Sequence, residues 1–333
     1  MNRNHSIDIL RCVFAFMVVY LHTHYWIGYP MDVCRCAVPG FMVMTGYFVY
    51  LSDKSAMYNR LLKSAKHHME IYGWALLLYF FLMLWLCNKY NNFSAFSVSN
   101  LHKFLIYAEV DFLPYGFHLW YLHAVIYALL IIYLFSKYNV LKYLVWLTPF
   151  FLILNLELFK ELVRPYIGSY HLPTYISFGI PFLIIGMSIQ KYEERLKKIP
   201  AITWPLMSAF FFFLLFIERK TLMNVGINPN DKYVCTIFLI IILLMICIAY
   251  PARREGPVAT IGRKYSLDIY VFHNFILFLY YSLRDHLPSI INNYVFKYGS
   301  PILIFVFTLI FSMAFRYILS RFYIIKSIKD AKP

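Results

Sequence analysis

The sequence predicts an all-α, polytopic integral membrane protein: one helical bundle of about ten transmembrane helices, both termini cytoplasmic. Three observations predict it. First, 61% of the 333 residues are hydrophobic and 20% aromatic, while only 14% are charged. A soluble globular domain carries roughly 25% charged residues. Surface-to-volume scaling limits what a chain of this size can bury, so the excess apolar surface must face lipid. Second, apolar runs near the bilayer-crossing length of about 20 residues recur from residue 8 to residue 320 without a long polar linker. Residues 1–333 therefore read as a single membrane domain. Third, Lys and Arg between these runs are distributed unevenly.

The expected spans are, in order, 8–28, 33–51, 69–88, 117–136, 140–157, 173–190, 200–217, 231–250, 265–283 and 300–320. The apolar part of the first, residues 12–21, follows Arg3 and Arg11 and runs into His22, Tyr25 and Trp26. No small-residue cleavage site follows, so this segment reads as a retained helix rather than a signal peptide. In the fifth span Pro149 is expected to kink the helix, because proline removes an amide donor and clashes with the preceding turn. The longest loop, 89–116, contains Asp111, Pro114 and several aromatic residues.

Orientation follows from the positive-inside rule. With the N-terminus inside, the inner segments hold 19 Lys and Arg residues and the outer segments hold 8. This predicts an even number of helices in a plasma (inner) membrane, with loop 89–116 outside. The formal net charge of +15 fits attraction to membrane lipid. Nucleic-acid binding would need a basic face on a soluble domain, and no segment is long or polar enough to build one. The six cysteines, Cys12, Cys34, Cys36, Cys87, Cys235 and Cys247, mostly lie in apolar runs without paired C-x-x-C spacing. They read as small apolar residues rather than a disulfide framework.

Ionisable groups inside a bilayer cost several kcal/mol and normally face the bundle interior. Here they are Arg11, His22, Arg35, His118, His123, Asp268, His273 and Arg316. Arg316 lies near an inner helix end, where it can snorkel to the headgroups. Arg11 and His22 are eleven residues apart, so at 100° per residue they share one helix face, about 16 Å apart along the axis. That puts a permanent cation near the cytoplasmic mouth and a titratable base within the membrane. The structural alternative is a topological anchor and a hydrogen-bonded packing histidine. His22-x-His24 followed by Cys34-x-Cys36 has metal-ligand types, but residues two apart on a helix diverge, and no metal is expected. Within Asn59–His68, Arg60, Lys63 and Lys66 recur every three residues as a loose basic stripe. Such a stripe suits either anionic lipid headgroups or ligand phosphates.

Four blocks, in order, resemble the membrane-bound acyltransferase 3 family. Arg11 and His22 match its R-x10-H signature. Arg35-Cys36-Ala37-Val38-Pro39-Gly40-Phe41, continuing to Thr45-Gly46-Tyr47-Phe48, resembles its second-helix block. His118-Leu119-Trp120-Tyr121-Leu122 is similar to its His-Leu-Trp-Phe/Tyr-Leu block, and Ser266-Leu267-Asp268-Ile269-Tyr270-Val271-Phe272-His273 to its late Ser-Tyr-x-x-Tyr-Leu-x-His block. Thr45 stands in place of the usual Ser, Asp268 in place of an uncharged residue, and the basic motif lacks its usual Pro. With no hydrolase-like domain attached, the chain resembles the stand-alone form.

The resemblance implies transfer of an acyl group, often acetyl, from cytoplasmic acyl-coenzyme A (acetyl-CoA) to a carbohydrate at the outer face. His22 and Arg11 carry over as the catalytic pair, with His22 as general base or acyl-imidazole carrier. Arg35, His118, Trp120, Tyr121 and His273 are the expected substrate-binding residues, and Arg60, Lys63 and Lys66 the expected donor contacts. Two rival classes fit the same buried ionisable groups: a transporter of polysaccharide or of a small polar substrate, and a non-catalytic subunit of a glycan synthase.

Overall fold

The protein is described here from a computed structural model, which covers residues 3–23, 29–91, 94–168, 172–227, 233–286 and 294–330. These residues form an all-helical structure without strands. The ten longest helices among them are α1 (His5–His22), α2 (Ala37–Val49), α3 (Lys54–Tyr90), α4 (Trp120–Lys137), α5 (Leu141–Asn155), α6 (Ile180–Lys191), α7 (Thr203–Asn224), α8 (Val234–Ala249), α9 (Pro257–His286) and α10 (Tyr294–Asp330). Each expected span overlaps one of these helices. By length and composition alone, 4 are fit to cross a bilayer: α1, α3, α4 with its preceding turn, and the stretch Tyr298–Ile318 of α10. Side chains such as Trp74, Phe81, Trp146, Leu206, Phe213 and Ile302 lie exposed on the outer helix faces. Water would penalise such a surface, whereas hydrocarbon would not.

Three boundaries differ from the sequence expectation. Helix α3 starts at Lys54, so the basic stripe is continuous with its span. Its 37 residues reach about 55 Å at 1.5 Å per residue, well beyond a hydrocarbon core of about 30 Å. The end bearing Arg60 must therefore project from the apolar layer. Asp53 caps this end, its carboxylate accepting from Ala56 N–H at 2.7 Å. Helix α9 likewise begins at Pro257 and takes Arg263 and Lys264 into the helix. In the fifth span Pro149 lies inside α5, but the sharp bend comes later. There α5 and the stretch Leu158–Ile167 meet at 81°, with extended backbone at Leu156 between them.

Helix α1 is central. At its start Asn4 accepts from Ser6 N–H at 3.0 Å and donates to the Cys247 carbonyl at 2.7 Å, tying α1 to the end of α8. Along its length α1 packs on α9. At Gly262 an added Cβ would lie 1.8 Å from the Asp8 carbonyl, so only glycine permits this approach. Helices α2 and α6 make the same small-residue contact twice, at Gly46 against the Leu183 carbonyl and Gly186 against the Val43 carbonyl. Close backbone approach replaces the hydrophobic effect as a source of helix association in lipid.

Candidate active site

The α1–α9 contact determines what faces what. His22 ends α1, where Thr23 turns the chain by donating its hydroxyl to the Tyr20 carbonyl at 2.8 Å. There the half-buried His22 ring meets His273 of α9, centroid to centroid 5.0 Å, and His118, at 6.3 Å. His118 and His273 are themselves 4.8 Å apart, and Phe117 covers His22 at 5.3 Å. Three histidines distant in sequence thus form one cluster.

Both partners of His22 are held by backbone. A carbonyl can only accept, so the 2.7 Å contact between His273 Nδ1 and the Tyr270 carbonyl fixes a proton on Nδ1. Nε2 then carries the lone pair, and it is buried without a hydrogen-bond partner among the described residues. His118 Nε2 lies 3.1 Å from the Val271 carbonyl, and its Nδ1 lies 3.1 Å from the Tyr115 carbonyl and 2.9 Å from the Asn274 amide. The Tyr270 hydroxyl donates to the His118 carbonyl, and Tyr79 donates to the Val271 carbonyl at 2.8 Å. The residues 270–274 therefore set the positions of two of the three rings.

Tyr270 has a second face. With Tyr121 it lines a cavity of about 260 Å³ on the opposite side from His118, shared with Arg11, His67, His68, Arg263, Lys264 and Arg316. Arg11 enters from α1. Its guanidinium stacks over the Phe48 ring at 4.7 Å and meets Asp8 Oδ1 at 3.2 Å. Asp8 is buried and receives its closer contacts from Arg3, at 2.7 and 2.9 Å. Arg11 thus gives Asp8 only one of its five N–H donors. Arg263 reaches Glu255 at 2.5 Å, and this hydrogen bond leads the causes that hold the exposed Glu255 carboxyl below its usual range. His68 donates from Nδ1 to the Ser64 carbonyl at 2.7 Å. The cavity wall carries four permanent cations, and Asp268, the partner of Arg316, is not among its lining residues. A wall with this excess of positive charge suits an anion.

The expected site residues fall into separate groups. His22, His118 and His273 come together, and Arg11 and Tyr121 meet on the cavity side of Tyr270. Trp120 instead packs on Phe178 at 5.4 Å. Arg35 lies 3.7 Å from Asp32, whose carboxylate also accepts from Arg219 and, at 2.9 Å, from Tyr233. Arg60, Lys63 and Lys66 are exposed on α3 and do not line the cavity themselves, although Arg60 stands one turn before Ser64 and donates to the carbonyl of Phe48, a lining residue, at 3.0 Å. A spacing of three traces one face of a helix, and here Ser64, His67 and His68 occupy the cavity-facing side. Arg316, expected to snorkel, is paired with Asp268 and lines the cavity.

Sequence reasoning missed Asp8, His67, His68, Tyr270 and Asn274, and it counted Arg263 and Lys264 only as topological charges. The available signals were Asp8 one turn before Arg11 and Asn274 beside His273. Among the described residues no three His, Cys, Asp or Glu side chains form a metal-binding group; His24 lies outside them.

A family model described as an acyltransferase domain matches residues 4–321, nearly the whole chain. Neither a curated protein nor a solved structure gives a significant match.

Proposed function

The chain belongs to the acyltransferase 3 family of membrane proteins, and from that premise we propose that it moves an acyl group, acetyl in the simplest case, from acyl-coenzyme A to a hydroxyl of a cell-surface or exported polysaccharide or glycolipid. One observation carries this reading: the cation-lined cavity and the histidine cluster meet across Tyr270. An anionic donor and a set of bases are what ester formation from a thioester needs on the two sides of one reacting carbon.

The chemistry follows from the side chains. Arg11, Arg263, Lys264 and Arg316 bind the donor's phosphates through charge-assisted hydrogen bonds. His22 takes the acceptor hydroxyl proton as its oxygen attacks the thioester carbonyl. The new C–O bond forms, the C–S bond breaks, and the His22 imidazolium returns the proton to the departing thiolate. His273 Nε2, an unprotonated nitrogen in the adjacent ring, offers a second place for that proton. Positioning supplies much of the rate, because a bound, aligned pair replaces a bimolecular encounter.

In this reading residues 1–333 form one domain of ten spans in the plasma membrane, with both termini cytoplasmic. The bias of 19 Lys and Arg residues to 8 supports that orientation, and it turns the basic cavity toward the cytoplasm. The test is reconstitution in vesicles with acyl-labelled coenzyme A inside and glycan outside. Transfer of label to the glycan, with release of free coenzyme A thiol, is the expected result. Movement of glycan across the membrane with no acylated product would mark the chain as a transporter.

A further inference from the structure

A larger cavity lies elsewhere. It encloses about 760 Å³, within the range of about 300–1,000 Å³ typical of small-ligand sites. It forms where the far end of α3, the loop before α4 and the end of α9 converge. Trp85, Tyr90, Tyr115, Phe278, Glu109 and Asp111 line it. None of these belongs to the histidine cluster or to the basic cavity. Yet its floor adjoins the cluster. The Tyr115 carbonyl is 3.1 Å from His118 Nδ1, and the Tyr115 ring meets that of Phe278 at 5.1 Å.

The two carboxylates are presented by a pinned loop. Ala108, Val110 and Leu113 are buried, and the intervening Glu109 and Asp111 turn outward into the cavity. Ala108 and Tyr115 bracket the loop in the left-handed region, at φ 57° and 59°. Non-glycine residues adopt that conformation at a cost of about 1–3 kcal/mol each, so surrounding contacts must impose it. The wall also contains Lys103, His286 and Lys89, whose ammonium sits over one face of the Trp85 and Tyr90 rings at 5.1 and 5.3 Å. Two cations and two anions balance, which disfavours a strongly charged ligand of either sign. Aromatic faces combined with carboxylates suit a ligand with an apolar ring face and a rim of hydroxyls. Rings cover the C–H face, and carboxylates accept from hydroxyls in short, charge-assisted bonds.

We infer that this cavity binds the acceptor as an uncharged sugar residue, stacked on Trp85 or Tyr90 and hydrogen-bonded to Glu109 and Asp111. The inference rests on the transferase reading above and gives it a substrate class. Neutral glycans are selected, because the balanced wall offers an anionic or a cationic glycan no net attraction. The far end of the cavity from the cation-lined one also gives donor and acceptor separate entrances, on opposite sides of the histidines.

The test uses the full chain in lipid nanodiscs, fluorescently labelled and applied to a glycan array of neutral, uronic-acid and amino-sugar oligosaccharides. Neutral glycans should be retained, with affinity unchanged between low and high salt because no net charge is screened. Trp85→Ala and Asp111→Asn should each weaken retention at least tenfold while the protein stays monodisperse by size exclusion. Retention of acidic or cationic glycans, retention that either variant leaves intact, or no glycan bound at all would overturn the inference. Coenzyme A release by the wild-type protein, measured separately, keeps the two readings apart. Release without glycan binding sinks this cavity alone, whereas neutral-glycan binding without any release sinks the transferase reading and keeps the cavity.

Discussion

The Tyr270 hydroxyl donates to the backbone carbonyl of His118 while its ring lines the basic cavity. One side chain therefore borders both halves of the site and fixes a member of the histidine cluster. Tyr270→Phe keeps the ring and deletes the hydroxyl. A typical intramolecular hydrogen bond contributes about 0.5–1.5 kcal/mol, so the variant should fold and should still bind donor. Loss of His118 positioning should lower kcat about tenfold with the donor KM nearly unchanged. Steady-state kinetics with varied acyl-coenzyme A check this. A rise in KM with kcat preserved would make Tyr270 a wall of the cavity and nothing more.

Much of this arrangement was readable before any coordinates. Helices overlapping every expected span follow from apolar runs alone, since a bilayer forces backbone groups to bond within the segment. The facing of Arg11 and His22 follows from 3.6-residue periodicity. Periodicity is silent on partners, however, and here the partners make the site. That His22 meets His118 and His273 depends on α1 lying against α9 at Gly262, a contact between residues far apart in sequence. Arg60, Lys63 and Lys66 show the reverse case. Their spacing marked a stripe of a helix but could not reveal that Ser64, His67 and His68, interleaved with it, are the residues of α3 that line the cavity.

That distinction is measurable. Reversing Arg263 and Lys264 to Glu should raise the apparent KM for acyl-coenzyme A by tenfold or more, because two phosphate contacts become repulsions. The same reversal at Lys63 and Lys66 should change KM less than threefold and reduce membrane yield instead, as expected for contacts to anionic lipid. Equal effects at both pairs would return the exposed stripe of α3 to the donor site.

Packing of α2 against α6 gives a prediction about stability. An added Cβ at Gly186 would lie 1.9 Å from the Val43 carbonyl, whereas at Gly73 it would meet nothing within 4 Å. Overpacking typically costs about 1–3 kcal/mol, and a backbone atom cannot yield as a side chain can. Gly186→Leu should lower the thermal midpoint in detergent by several degrees, and Gly73→Leu should leave it within a degree or two. Similar midpoints for the two variants would mean that the helices separate more easily than their contact implies.

Orientation is tested by labelling. The charge bias puts Ser94 outside and Ser52 inside, and the 37-residue α3 lies between them. A cysteine at position 94, in a background lacking the six native cysteines, should react with an impermeant maleimide applied to intact cells. One at position 52 should react only after permeabilisation. The opposite pattern would place the basic cavity outside and remove its access to a cytoplasmic donor.

The sharpest prediction separates His22 from His273. Both rings lie in one cluster, and His273 has a proton committed to a backbone carbonyl, that of Tyr270. His22→Ala removes the half-buried ring that ends α1 but leaves an apolar helix that should insert normally. Losing a general base lowers rates by about 10²–10⁴, so transfer should nearly vanish while donor binding persists. At His273, substitution by Asn and by Ala should differ. Asn keeps a polar group able to bond the Tyr270 carbonyl, whereas Ala leaves that region of α9 with a void. If His273 relays the proton, both variants slow transfer about equally, because neither can accept and return a proton. If it only positions the helix, His273→Asn restores much of the activity lost in His273→Ala. The His22 assignment has its own arbiter: transfer at the wild-type rate by a correctly inserted His22→Ala protein would leave His22 a packing residue and return catalysis to its neighbours.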